Sequence, residues 1–157
     1  MFLRFFAATH MSDLSELGEA CLTWVPFLCA LDIPVRIVPT HHSRTDVVAR
    51  RERSGWTQHA DLTITPMDGE YVNLVCSLPE DWKRLRTIGH GCLRNMLLAS
   101  QTAPIEKPRL IDAALEYEVL IVPTAVDADI WTAMGGSPVI IPPVADRLED
   151  FRTMLGL

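Results

Sequence analysis

The residues of this sequence that could do chemistry are few, and their spacings matter more than their number. Five histidines stand at 10, 41, 42, 59 and 90. His10 follows a short apolar strand, where a general base is favourably placed. His41 and His42 are adjacent in a loop, and neighbours in extended chain point apart, so one metal does not take both. The spacing H-x-x-x-H is absent. Asp127-Ala-Asp129 spells D-x-D, a pattern that can hold a divalent cation against phosphates. In that use the acidic pair directly follows a strand. Here Pro123-Thr-Ala-Val intervenes and the pair opens a helix, so capping and complementation of the helix dipole explain it. Ser77, Ser100 and Thr124 each follow a strand, and none lies in G-x-S-x-G.

Phosphate chemistry has no support in the glycines. The first strand–helix turn reads ATHMSD, and neither G-x-G-x-x-G nor G-x-x-x-x-G-K-[ST] occurs. Ser12 and Asp13 read as helix caps rather than as an anion cradle. Arg44 to Arg53 holds four arginines against Asp46 and Glu52 and reads as a solvated helix face. The sequence thus predicts neither a cofactor nor a metal.

Composition sets the class. The chain has 157 residues and net charge −6, with 48% apolar and 22% charged residues. That length fits one domain, 1–157, able to bury an ordinary core. The negative balance argues against a nucleic-acid binder. Cys21, Cys29, Cys76 and Cys92 include no C-x-x-C pair and read as buried small hydrophobes in a reducing compartment. MFLRFFAATH is too short for a signal peptide, and no run approaches a membrane span. The expectation is a soluble cytoplasmic protein.

The elements that must position these residues alternate regularly. Leu3 to Phe6 is a strand. Apolar residues at Leu14, Leu17, Cys21, Trp24, Leu28 and Leu31 then form a helical stripe, which Pro26 should kink or end early. Pro34 to Pro39 is a buried-strand pattern. Thr40 to Gly55 reads as loop plus a short helix from near Thr45. Asp61 to Thr65 reads as a strand and Met67-Asp68-Gly69 as a turn. Tyr71 to Ser77 is a strand, and Pro79 starts a helix that turns Trp82, Leu85 and Ile88 inward and closes at Gly89. Leu93 to Ala99 is a strand and Pro108 to Leu115 a helix. Glu118 to Val122, Asp127 to Met134 and Val139 to Ile141 run strand, helix, strand. Ala145 to Leu155 is the last helix, with Leu148, Phe151 and Leu155 on one face. The pattern predicts an α/β fold: one Rossmann-like domain with a mostly parallel sheet and helices on both faces.

Four stretches carry a family resemblance. They are Ser15-Glu-Leu-Gly18-Glu-Ala with the strand Ile33-Pro-Val-Arg-Ile-Val, Tyr71-Val-Asn-Leu-Val-Cys-Ser-Leu-Pro-Glu80, and Glu106-Lys-Pro-Arg-Leu110. The last is Val119-Leu-Ile-Val-Pro-Thr124 with Gly135-Gly136-Ser-Pro-Val-Ile-Ile-Pro-Pro143 and Asp146. In this order they resemble the N-terminal, acceptor-side half of GT-B glycosyltransferases of the group-1 retaining type. The resemblance implies a Rossmann-like half that receives the acceptor, with a sugar or sugar nucleotide as ligand. A second half would supply most of the donor site, and the sequence runs from Asp146 only to Leu157. The family's glycine-rich loop is replaced by ATHMSD, and its Pro-His-Gly turn by Pro142-Pro143-Val144-Ala145. These departures imply a half-domain that is not catalytic alone and serves as a binding or structural subunit. Alternatively it is the acceptor-side subunit of a split enzyme completed by another chain, with His10, Glu106 and Thr124 as the polar groups at the strand ends. A third reading is a scaffold in a larger assembly, with a protein partner or a homo-oligomer.

Overall fold

The structure, a computed structural model, describes residues 1–8, 16–40, 56–88, 91–99 and 105–157. Six strands form one sheet: β1 (Phe2–Ala7), β2 (Val35–Pro39), β3 (Tyr71–Cys76), β4 (Arg94–Leu98), β5 (Val119–Val122) and β6 (Val139–Ile140). All neighbouring strands are parallel, in the order β2-β1-β3-β4-β5-β6. The helices are α1 (Glu16–Cys29), α2 (Trp82–Ile88), α3 (Pro108–Leu115), α4 (Ala125–Ala133) and α5 (Leu148–Leu155). This is the expected Rossmann-like α/β arrangement. No helix among the described residues is long and apolar enough to cross a membrane.

Strand alternation divides the core in two. Leu3, Phe5, Leu74, Met96 and Ile121 point to one face, against Trp24, Val25 and Leu28 of α1 and Phe151 of α5. Phe6, Val75, Leu97 and Leu120 point to the other, against Trp82 of α2, Ala113 and Ala114 of α3 and Trp131 of α4. A parallel sheet covered on both faces reads as near-continuous apolar runs, which is why its strands stand out in the sequence. On the first face, Trp24, Phe27 and Phe151 form an aromatic triangle with ring centroids 5.2–5.9 Å apart, docking α5 on α1. Arg152 Nη1 donates to Leu31 O at 2.6 Å, and Arg94 of β4 donates to Met154 O, fastening the C-terminal half of α5.

Five expectations need correction. Pro26 lies inside α1, which continues to Cys29. The proline itself is exposed, while buried Trp24, Val25, Phe27 and Leu28 on either side hold the turn in place. Asp61–Thr65 is not a strand: Trp56–Thr63 forms a 3-10 helix packed beside β2. Ile64 is 75% exposed, so no apolar alternation is closed there. Ile88 faces outward at 48% exposure. Cys29 is exposed rather than buried. The last helix also begins differently, as a 3-10 turn, Ala145–Arg147, leading into α5. The caps at Ser12 and Asp13, the helix near Thr45, the Arg44–Arg53 run and Gly89 lie outside the described residues.

Candidate functional site

A doubly wound parallel sheet binds ligands beyond the carboxyl ends of its strands, where the strand order reverses. Here the reversal falls between β1 and β3. Small residues let the chains approach closely at that point: Ala8 is buried and its N–H donates to Cys76 O at 3.2 Å. Thr40, after β2, and Ser77, after β3, share a hydroxyl–hydroxyl bond of 2.9 Å. The Trp82 indole N–H donates to Ser77 O at 3.1 Å. Ser77 is 2% exposed, so its hydroxyl serves the junction of the strands and is not presented as a nucleophile.

Further along the same edge stands Thr124, the N-cap of α4. Its hydroxyl accepts the Asp127 N–H at 3.1 Å and donates to Asp127 Oδ2 at 2.5 Å. Asp127 is 1% exposed and Asp129 is exposed, so the two carboxylates of the D-x-D sequence diverge. The cap of the helix is thus Thr124, and Asp127 keeps the other expected role, a carboxylate in the first turn at the positive end of the helix. Asp127 Oδ1 is buried without a hydrogen-bond partner among the described residues. Glu106 is exposed in the segment leading into α3. His10, His41, His42, His90 and Ser100 lie outside the described residues, so of the three expected strand-end groups the structure describes Glu106 and Thr124. His59 lies in the Trp56–Thr63 helix, below the ordinary histidine value because of burial. Partial shielding from water pushes up the thiols of exposed Cys29 and half-buried Cys92, and Glu118 adds to the effect at Cys92. Neither has the lowered value of a reactive thiolate.

The structure adds a feature that motif reading missed. A cleft of about 330 Å³, within the usual size range of ligand pockets, opens between the starts of α2 and α3. Pro79, Leu110 and Ala113 give it an apolar lining, and Glu80, Lys83 and Arg109 give it charge. Pro79 and Pro108 occupy first-turn positions, where a missing N–H costs nothing. The walls are fixed by buried contacts: Tyr117 donates its hydroxyl to Trp82 O at 2.6 Å, and Trp82 packs on Trp131 with centroids 5.9 Å apart. Arg86 and Glu116 join the same two helices through an exposed ion pair of 2.7 Å. The sequence signal for this cleft is a Pro-started helix after each of two strands, each with a basic residue in its opening residues.

No family model, curated protein or solved structure matches this chain. The site must therefore be read from its own geometry. Its polar groups are hydroxyls at the strand reversal, a capped buried carboxylate and a charged cleft, an arrangement suited to holding a polar ligand. Among the described residues, no nucleophile is hydrogen-bonded to a base in the manner of a catalytic pair.

Proposed function

We propose that the chain is a ligand-binding domain of the glycosyltransferase-like, acceptor-side type, which holds a sugar or sugar nucleotide without turning it over alone. The observation that supports this is the order and direction of its last elements. The strand–Pro–Thr–helix–Gly-Gly–strand–Pro-Pro run on which the resemblance rests folds as β5, α4 and β6, in parallel with the rest of the sheet. The binding role is supported by the hydroxyls at the carboxyl edge, Thr124 and Thr40, the latter held by its 2.9 Å bond to buried Ser77. The non-catalytic role follows from the sequence, in which ATHMSD and Pro142-Pro143-Val144-Ala145 stand in place of the family's glycine loop and His-Gly turn.

The test is a titration of the purified chain with a panel of nucleoside-diphosphate sugars and free sugars, followed by amide NMR and by product analysis. The expected result is saturable shifts at Ala8, Thr40, Ser77 or Thr124 with no hydrolysis or transfer. Turnover by the isolated chain would refute the non-catalytic role. A panel that leaves every one of these amides unmoved would refute the binding role.

A further inference from the structure

Between α2 and α3 the distribution of charge is uneven in a way that folding does not require. The basic residues of these two helices are Lys83, Arg84, Arg86 and Arg109. Arg84 bonds Asp81 at 3.1 Å and Arg86 bonds Glu116 at 2.7 Å. Lys83 and Arg109 have no ion pair among the described residues, and these are the two that line the cleft. The first turn of α3 carries no acidic residue, and its N-cap, Lys107, makes no side-chain cap. The positive end of that helix is therefore not offset by its own side chains. Among the described residues of the lining Glu80 is the one acid, against Lys83 and Arg109, so they give the cleft a net positive charge on a chain of net charge −6.

We propose that this cleft is a site for the anionic end of a small organic molecule, a phosphate monoester or a carboxylate. Arg109 and Lys83 grip the anion, and Pro79, Leu110 and Ala113 receive an apolar body of a few carbon atoms. Arg109 offers a planar fork suited to two oxygens of one group, and Lys83 a compact second charge. The Tyr117–Trp82 bond and the Arg86–Glu116 pair hold α2 and α3 at a fixed separation before ligand arrives, so little ordering is required on binding. The site stands on this geometry and does not rest on the glycosyltransferase-like reading. A nucleoside-diphosphate sugar could fail to bind at the strand reversal while the cleft still took its anion.

The experiment is a titration of the intact chain, followed by amide NMR, with three probes sharing one ring: phenyl phosphate, benzoate and benzyl alcohol. Phenyl phosphate or benzoate is expected to saturate shifts in residues 79–83 and 109–113, and the tighter of the two identifies the preferred anion. Benzyl alcohol is expected to bind at least about tenfold more weakly, as is each anion to Lys83→Ala or Arg109→Ala. Both substituted residues are exposed, and an otherwise unchanged spectrum shows that each variant is folded. Three results would overturn the proposal: equal binding of benzyl alcohol, shifts spread over unrelated basic residues, or variants that bind the anions as the parent does.

Discussion

Tyr117 joins the two walls of the cleft through a single proton. Its hydroxyl is buried and donates to Trp82 O, and burial raises its pKa well above the usual tyrosine value, with the Arg86 charge opposing. A raised value means that the folded state favours the neutral form. The stabilisation is complete below the unfolded value of about 10 and is lost as pH climbs past it. Urea unfolding followed from pH 8 to pH 12 should show this alkaline loss. Tyr117→Phe should reduce it while costing about 1 kcal/mol at neutral pH, the usual net value of one hydrogen bond. Thr124 offers a second test at this scale. Its hydroxyl serves both the helix start and Asp127, so Thr124→Ala should cost about 1–2 kcal/mol in the same assay. Thr124→Ser, which keeps the oxygen, should recover most of that loss. Thr124 and Asp127 could be read from sequence because T-x-x-D is a local pattern. Lys83 and Arg109 could not, because only the pairing of β3 with β4 makes their helices neighbours.

Helix α4 ends in a pair of interlocking bonds, from Gly136 N to Trp131 O at 2.9 Å and from Gly135 N to Thr132 O at 3.0 Å. This closure requires a left-handed residue, and Gly135 supplies it at φ +92°. Gly135→Ala should therefore cost about 1–2 kcal/mol by thermal or urea unfolding, although open space surrounds the position. Gly136 is restricted for another reason: an added Cβ would lie 3.1 Å from Trp131 O and 3.2 Å from a Leu115 methyl carbon. The element pattern was legible where burial is two-sided and apolar runs are dense, as in β1, β3 and β5. It failed at Asp61–Thr65, where Leu62 and Ile64 imitate strand alternation but Ile64 has nothing to pack against. It also allowed Pro26 to end α1 early, whereas the helix runs on to Cys29 because local propensity yields when the residues on either side are anchored in a core.

At the scale of the molecule, the sheet has an open margin at β6, and several features close it. The strand is two residues long, Pro138 precedes it, Pro142 and Pro143 follow, and Arg147 Nη2 donates to Ile140 O at 3.1 Å. Short length and prolines are known defences of an edge strand, and a capped carbonyl adds to them. Replacing Pro142 and Pro143 with valine together with Arg147→Ala should give concentration-dependent association in light scattering, while the parent shows none by this route. The opposite side of the architecture depends on distant parts of the chain. Trp24 and Phe27 on α1 pack on Phe151 of α5, and Phe151→Ala should cost about 3–5 kcal/mol by urea unfolding. This aromatic triangle also has a meaning during synthesis. On leaving the ribosome α1 cannot cover its own aromatic face, because Phe151, the ring that completes it, is translated only after all six strands of the sheet. The nascent chain therefore carries an exposed tryptophan and phenylalanine until Phe151 has emerged, and a chaperone that recognises such surfaces has that interval in which to act.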